Sequence, residues 1–290
     1  MIVIAESGST KCDWSILDDQ HQVVLTAKTP GFNPYFHDEQ FISTEMSRSS
    51  ELLQIQNEVD KVYFYGAGCS SETLNSVVFG ALRVFFSQAE ISVDHDLVAA
   101  AYSLYRGEPV IGCIIGTGSN SCFFDGSKVH EMVPALGFIL GDEASGSYFG
   151  KRVLADYIYK RLPGEMQRDF EERFRVDWSE VVQKVYQNVH ANVYLASFMR
   201  FIVDHKYNDY VQEMVKEGIA RFIDIHVANY SNYHKYEVGF VGTVAFIFQD
   251  ILREELLKRD CKPGLIIKHP ADQLVKYHKE HKLMSQPIGK

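Results

Sequence analysis

"MIVIAESGSTKCDWSILDDQHQVVLTAK", Met1 to Lys28, holds three apolar runs separated by two short breaks. The first run is short and β-branched, which predicts a buried strand. "SGST" (7–10) follows, then "CDWSILD" and "QVVLTAK" on either side of the turn-like "DQH", so the segment reads as an antiparallel meander of three strands. Beyond it the pattern predicts a helix over 38–57, a strand at "KVYFYG", a helix near 71–88, a strand at "AEISV" and a helix near 96–106. That βββαβαβα order is an α/β layer architecture.

Near residue 109 the order starts again. "VIGCIIGT", "NSCFFD" and "KVHEMV" predict a second meander, with "DGS" as its last turn. A frame shifted by 110 positions sets "SGST" on "TGSN" (117–120) and pairs Ile4 with Ile114, Gly8 with Gly118, Ser9 with Ser119 and Cys12 with Cys122. Self-similarity inside a repeated strand–turn–strand context predicts a structural repeat. The chain then reads as mostly helical from 143 to about 233, followed by strand "YEVGFVGT", helix "VAFIFQDILREELLK", strand "GLIIKH" and a closing helix at "PADQLVKYHKEH", with proline at its start. Two α/β domains follow: 1–108 with a closing helix over 270–290, and 109–269. Two half-similar domains suit a ligand cleft between them. Backbone N–H groups of a glycine hairpin can cradle phosphate. Gly8 and Gly118 could each make only a tight turn, but at matched positions the pair favours phosphate.

The 290 residues carry 29 Lys+Arg against 38 Asp+Glu, a net charge of −9, which favours solubility and argues against a nucleic-acid partner. With 46% hydrophobic and 23% charged residues, the composition is that of a globular protein. No run approaches the ~20 apolar residues of a membrane span, and "MIVIAESGST" lacks the basic and apolar regions of a signal peptide. A cytoplasmic protein with no membrane partner is expected. Cys12, Cys69, Cys113, Cys122 and Cys261 are scattered and without CxxC spacing, which reads as reduced thiols, mostly core filler. His278 and His281 read as a solvated helix face.

"ESGSTKCDWSIL" resembles the first phosphate-binding hairpin of the actin, chaperone and sugar-kinase superfamily, and "IIGTGSNS" its second. "FVGTVA" (240–245) resembles the adenosine-contacting turn. "LGDEASG" with "GTGSN" narrows the resemblance to N-acetylglucosamine kinases and BadF/BadG-type ATPases. It covers essentially the whole chain, with the elements in the family's order. It implies a two-domain actin-like (ribonuclease H-like) α/β fold, ATP and Mg²⁺ as cofactors, a small sugar as the other ligand, and room for a homodimer. Ser7 and Ser9 stand where relatives often have glycines, and their hydroxyls could add hydrogen bonds to phosphate. Ala135 and Leu136 stand where some relatives carry glycine and tryptophan, a departure at the sugar side.

The resemblance also assigns roles. Asp96 in "SVDHDLVAAA" falls at the catalytic base and would touch the sugar; as a bare sequence feature it reads as a helix N-cap. Asp94 is its competitor. Glu6 falls at the acid that helps hold hydrated Mg²⁺, an ion that takes few carboxylates beside waters and phosphate oxygens. Gly8, Ser9, Thr10, Thr117 and Gly118 would meet the nucleotide phosphates, and Lys11 would neutralise phosphate or be solvated. Gly242, Thr243 and Ala245 would leave room for the adenine. Asn33, Ser119, Asn120, Gly137 and Asp142 would surround the sugar, although Asn33 and Asn120 could equally serve their own turns. Asp142 and Glu143 read as the start of a helix, Asp142 as its N-cap. Gly137 and Gly141 would let the backbone approach a sugar. Gly146 and Gly150, one turn apart, would let the helix pack close at the domain junction. The expected reaction is ATP-dependent phosphorylation of an amino-sugar hydroxyl, most directly N-acetylglucosamine to its 6-phosphate. The alternatives are a BadF-type activator, which needs paired cysteines, and a non-enzymatic amino-sugar or cell-wall-fragment sensor, with no helix-turn-helix segment ahead of the first strand.

Overall fold

The computed structural model describes residues 1–283, so the part of the expected closing helix beyond Leu283 lies outside the described residues. The chain divides into two compact units, Met1–Tyr105 with Pro270–Lys290, and Arg106–His269.

The first unit is built on a five-stranded sheet. Its strands are β1 (Ile2–Ser7), β2 (Lys11–Leu17), β3 (Val23–Pro30), β4 (Lys61–Gly66) and β5 (Glu90–His95), in the order β3-β2-β1-β4-β5. The first three are antiparallel neighbours, while β1–β4 and β4–β5 are parallel. β1 is apolar from Ile2 to Ala5 because both its faces are covered. Val3 and Ala5, with Trp14, Phe32 and Phe64, join the core under α1 (Glu39–Ser47), α2 (Ser50–Ile55) and α3 (Glu72–Phe85). On the opposite face Ile4, Leu17 and Tyr65 pack with α4 (Asp96–Leu104) and with the C-terminal helix. The single helix expected over 38–57 is two helices, because Ser49 leaves the helical conformation and caps the second by accepting from the Leu52 N–H.

The second unit repeats the sheet. β6 (Val110–Ile115), β7 (Ser119–Phe124), β8 (Val129–His130), β9 (Glu237–Val241) and β10 (Lys262–Ile267) run in the order β10-β9-β6-β7-β8. Read from β8, this is the order of the first sheet, with the same parallel and antiparallel pairs. The third meander strand shrinks to two residues. Its helices are α5 (Gly137–Leu140), α6 (Gly146–Ile158), α7 (Gly164–Phe174), α8 (Trp178–Val181), α9 (Ala191–Ser197), α10 (Met199–Asp204) and α11 (Asp209–Phe222), then α12 (Thr243–Ile247) and α13 (Gln249–Leu257) around β9 and β10. Phe149, Phe170, Phe198, Phe201 and Phe222 fill the core. The helix expected after "GFVGT" breaks at Phe248, whose backbone departs from helical angles.

The repeat is real in topology, but its register differs from the frame of 110. The first hairpin closes with the Gly8 N–H donating to the Lys11 carbonyl at 3.0 Å, the second with the Gly116 N–H donating to the Gly118 carbonyl at 2.9 Å. Ser7 pairs with Cys12, and Ile115 with Ser119. Gly8 therefore corresponds to Gly116, not Gly118. The second hairpin is shorter, and small turn residues look alike in any register.

α14 (Ala271–Tyr277) continues as a wider helical turn over His278–Leu283 and packs on α4. His278 lies in no solvated face. It is fully buried, its Nε2 is 2.9 Å from the Tyr65 hydroxyl, and burial holds its pKa down to about 3. His281 is partly exposed against the Tyr277 ring.

Candidate functional site

In the first unit the candidate groups gather at the carboxyl ends of the parallel strands, the edge where open α/β sheets bind ligands. Glu6 stands one residue from the end of β1. Opposite it are Asp13 on β2 and Tyr65 on β4, and Asp94 on β5 stands opposite Tyr65. Residues opposite one another share a face, so Asp13, Glu6, Tyr65 and Asp94 form one row across the sheet. Burial, then the negative charges of Asp96 and Asp13, push the Glu6 carboxyl up to about 8, against the pull of Lys11. Lys11 is ion-paired with Asp13 rather than solvated.

The first hairpin leaves Thr10 exposed and Gly8 and Ser9 half-buried. Its shape is set by the segment after β3. A side chain at Gly31 would overlap the Gly8 carbonyl and stand 2.9 Å from the Lys11 nitrogen. The buried Ser7 hydroxyl accepts from the Phe32 N–H at 2.7 Å and donates to the Phe32 carbonyl at 3.3 Å. Ser7 therefore fastens the hairpin and is not the phosphate donor that its place in "SGST" suggests.

Asn33 follows directly. Its side-chain oxygen accepts from the Tyr35 N–H at 3.0 Å, closing a local turn. The same oxygen would be overlapped by a Cβ at Gly68, which has a φ of +80°. Asn33 thus rests on the Gly66–Ser70 loop. Burial and the charges of Asp96 and Asp94 push the Cys69 thiol in that loop up to about 12.

Asp96 is the first residue of α4, and the N-cap is His95, not Asp96. The His95 Nε2 is 3.1 Å from the Asp96 Oδ1, and both side chains are mostly buried. Asp94 accepts from the Ser92 hydroxyl at 3.3 Å within its own strand.

In the second unit, Asp142 and Glu143 hold the second hairpin. Asp142 Oδ1 accepts from the Ser119 N–H at 3.2 Å, and the Glu143 carbonyl accepts from the Ser119 hydroxyl at 2.7 Å. Ser119 is buried, with its hydroxyl engaged there rather than at a ligand. A Cβ at Gly118 would stand 3.1 Å from both Asp142 oxygens, so the carboxylate would have to give by a few tenths of an ångström to admit one. Burial raises the Asp142 pKa, opposed by the Ser119 N–H. Asp142 and Ala144 have φ of 56° and 60°, the left-handed region that β-carbon-bearing residues enter at a cost. That kink delays α6, whose N-cap is Ser145, accepting from the Tyr148 N–H at 3.2 Å. Asp142 therefore caps nothing. Glu143 points to the buried His226 (3.4 Å) and to Arg221 (3.5 Å).

Gly146 and Gly150 serve packing inside this unit. A side chain at Gly150 would overlap the Leu195 carbonyl of α9, and one at Gly146 would meet Met199 at 3.0 Å and Ala196 at 3.2 Å. The Gly146 N–H also donates to the Gly116 carbonyl at 2.8 Å, and the Ser147 N–H to the Thr117 carbonyl at 3.1 Å, so α6 begins on the second hairpin. Gly137, with φ of 70°, has open space around its Cα. The Asn120 side-chain oxygen accepts from the Ser121 N–H at 2.8 Å, within its own strand. Gly242, with φ of 131°, lies against the Ile115 carbonyl, which brings Thr243 and the buried Ala245 beside the second hairpin.

Sequence reasoning missed Asp13, Gly31, His95 and the Glu143–His226–Arg221 group. Asp13 was within reach, because a hairpin closing over 8–11 sets it opposite Glu6. His95 was as near, beside Asp96 in the same stretch, while the contacts of Gly31 and of Glu143 are made far along the chain.

Mg²⁺ takes oxygen ligands, few from protein. Glu6, whose charge is disfavoured by burial and by Asp13 and Asp96, fits a cation that would relieve that repulsion. Among the described residues no group of three or more His, Cys, Asp or Glu is placed to hold a metal, so phosphate and water would complete the coordination. All five cysteines are buried and unpaired by disulfides. Among the described residues no helix is long and apolar enough to cross a membrane.

No protein-family model and no curated protein matches the chain. Solved structures do. A Porphyromonas gingivalis protein described as a candidate N-acetylglucosamine kinase is 32% identical, with a TM-score of 0.90, and the match covers 98% of this chain and 100% of that one. A Chromobacterium violaceum protein described in the same way is 14% identical, with a TM-score of 0.71, over 95% of this chain and 98% of that one. A ROK-family glucokinase of Streptomyces griseus, solved with glucose and AMPPNP, is 16% identical, with a TM-score of 0.53, over 96% and 98%. The last two show the fold alone, that of the two-domain actin-like ATPases. The first adds sequence likeness along nearly all of both chains, and so the chain belongs to the N-acetylglucosamine kinase and BadF/BadG-type ATPase family of the actin-like superfamily.

Proposed function

We propose that the chain is an ATP-dependent sugar kinase that phosphorylates a hydroxyl of an N-acetylhexosamine, with N-acetylglucosamine going to its 6-phosphate. One observation carries the reading: a carboxylate, Asp96, opens α4 beside Glu6 and the first hairpin, in a chain 32% identical over 98% of its length to a candidate N-acetylglucosamine kinase.

Phosphoryl transfer asks the protein for positioning and charge stabilisation. Asp96 takes the proton of the acceptor hydroxyl as its oxygen bonds to the γ-phosphorus and the bond to the β-phosphate oxygen breaks, giving sugar phosphate and ADP. In the first unit the backbone N–H groups of Ser9 and Thr10 would meet phosphate oxygens, and the hairpin of the second unit offers those of Thr117 and Gly118. Glu6 and Asp13 are the carboxylates that would hold hydrated Mg²⁺, which supplies charge neutralisation at the phosphates when bound. In the second unit Gly242, Thr243 and Ala245 leave space for a flat base. In the first unit Asn33 would offer its amide nitrogen to a sugar hydroxyl.

A coupled ADP assay over N-acetylglucosamine, N-acetylmuramic acid, glucosamine and glucose tests the reading. N-acetylglucosamine should give the highest kcat/KM. ATP hydrolysis independent of every sugar would point to an activator ATPase, and sugar binding without ADP release to a sensor. Asp96→Asn should lower kcat by about 10²–10⁴, the span of a general base, with little change in sugar affinity.

A further inference from the structure

A cavity of about 610 Å³ opens in the first unit directly after Asn33, a volume typical of small-molecule sites. Its walls are the segment from Pro34 to Gln40 and, from α3, Val77. Tyr35 and Phe36 are 62% and 42% exposed, so two aromatic rings stand at the surface rather than in the core. Their backbone is fixed. The Asn33 carbonyl accepts from the Phe36 and His37 N–H groups, both at 3.0 Å, and the His37 Nδ1 accepts from the Asn33 N–H at 3.2 Å. The His37 ring stacks on Phe41 at 4.2 Å, and the Tyr35 hydroxyl is 3.4 Å from that of Ser70. The Tyr35 ring also adjoins the Asn33 carboxamide. A Cβ at Gly68 would overlap the Asn33 Oδ1 and stand 3.0 Å from the Tyr35 Cδ2, so both groups border one point. Among the described residues the lining offers Asp38, Glu39 and Gln40 as polar groups and neither lysine nor arginine. The His37 Nδ1 serves the turn as an acceptor, so that ring brings no positive charge while the bond stands.

We propose that this cavity is a second carbohydrate subsite, which takes a neutral sugar ring joined to the one that meets Asn33; the proposal rests on the reading of Asn33 as a sugar ligand. A pyranose ring has an apolar C–H face and a rim of hydroxyls. Tyr35 and Phe36 match the face, and the carboxylates and amide of Asp38, Glu39 and Gln40 match the rim. Tyrosine supplies a large contact area at a small cost in side-chain freedom. A phosphate or carboxylate would meet Asp38 and Glu39 with no cation to balance them, which disfavours sugar phosphates, nucleotides and acidic sugars. The hydrogen-bonded turn is in place before the ligand arrives, so little ordering opposes binding. The covalent link to the first ring raises the effective concentration of the second. The subsite adds binding only; the group transferred and its acceptor hydroxyl are unchanged. In a 1→4-linked disaccharide either ring can meet Asn33 while the other extends from carbon 1 or carbon 4, so N,N′-diacetylchitobiose probes both directions.

Calorimetry without ATP gives the Kd of N-acetylglucosamine, of N,N′-diacetylchitobiose and of the corresponding cationic glucosamine disaccharide for wild type, Tyr35→Ala and Gln40→Trp, each checked for fold by circular dichroism. ADP release gives kcat and KM. Wild type should bind diacetylchitobiose about tenfold more tightly than N-acetylglucosamine, the scale of one aromatic contact. Tyr35→Ala removes the ring and keeps the backbone N–H that Asn33 accepts, and Gln40→Trp sets a bulky group into the cavity. Either variant should erase the advantage of the disaccharide while Kd and kcat for N-acetylglucosamine stay within about threefold. If one variant does not fold, the other carries the test. Diacetylchitobiose bound no more tightly than N-acetylglucosamine by wild type, or an advantage that persists in both variants, would overturn the subsite. If N-acetylglucosamine is still phosphorylated in that case, the kinase reading stands. A gain confined to the glucosamine disaccharide would overturn the neutral ring and assign the cavity to an ammonium group. Tight disaccharide binding that is lost in both variants, with no ADP released from any sugar, would support the subsite and overturn the kinase reading.

Discussion

Glu6 shows how much one carboxyl's surroundings determine. Burial and the charges of Asp96 and Asp13 raise its pKa to about 8, from 4.5 when free. The sign follows from linkage. An acid whose pKa is higher in the folded state binds its proton more tightly there, so it favours the fold at low pH and loses that contribution as pH rises from about 4.5 to about 8. Without ligands, Glu6→Gln should therefore be more stable than wild type at pH 8 and close to it at pH 5. The gain should appear as a Tm higher by about 2–4 °C for each kcal/mol recovered, read by calorimetry at both pH values. A Tm equal to wild type at pH 8 would show that the carboxyl has a compensating partner. In the activity assay, the same variant should need more Mg²⁺ for half-maximal rate while its sugar KM stays put. An unchanged Mg²⁺ titration would place the ion on other groups.

At the scale of elements, the hairpins are held from behind by segments remote in sequence. Gly31 presses on the first hairpin, and Gly146 hydrogen-bonds the second. Gly31→Ala should move the Gly8–Lys11 turn, since its methyl group would occupy the position of the Gly8 carbonyl. ATP affinity should fall more than tenfold, while the far-UV spectrum stays native, because the sheet beneath is paired along its full length. Unaltered ATP affinity by calorimetry would show that the turn can yield at no cost. Gly150→Ala is the contrasting case. Its clash is with the Leu195 backbone in the α6–α9 packing, so overpacking of about 1–3 kcal/mol should lower stability before it touches ligand binding. Urea unfolding would separate the two: a shift in midpoint for Gly150→Ala, and little for Gly31→Ala. These contrasts also mark what the sequence made legible. The strands and their order were readable because β-branched runs and turn residues act locally. Glu6, Asp96 and both hairpins were readable through the resemblance to a family. The 110-residue frame failed because the two glycines at 116 and 118 look alike in the sequence, while only strand pairing tells them apart. Gly146 and Gly150 were read as a domain junction because a small-residue stripe shows that something comes close, not what it is. His278 was read as solvated because its Lys-rich neighbours face water while its own ring turns to Tyr65.

For the whole molecule, the connectivity of the two units makes a prediction of its own. Arg106–His269 is one continuous piece with its own sheet and its own core, including Phe149, Phe170, Phe198 and Phe222. Met1–Tyr105 is not complete, since Leu274, Val275 and Tyr277 of α14 are buried in it and His278 bonds Tyr65. Removing the chain after His269 takes those side chains away. Burial of each apolar one contributes roughly 1.5–3 kcal/mol, and domain stability is only about 5–15 kcal/mol in all. The loss of three of them, with the Tyr65 hydroxyl left without its imidazole, should therefore consume most of the first unit's stability. A fragment of residues 106–269 should fold with a single cooperative urea transition. A chain ending at His269 should show fast amide exchange throughout β1, β4 and α4, with protection retained in β6, β9 and α11. Its melting should begin with the first unit, and Tyr65→Phe in the full-length chain should reproduce only a small part of the effect, because it removes one hydrogen bond and leaves the packing. Slow exchange in β1 and β4 of the truncated chain would mean that the first unit closes its core without α14, and that the C-terminal helix contributes little to its stability.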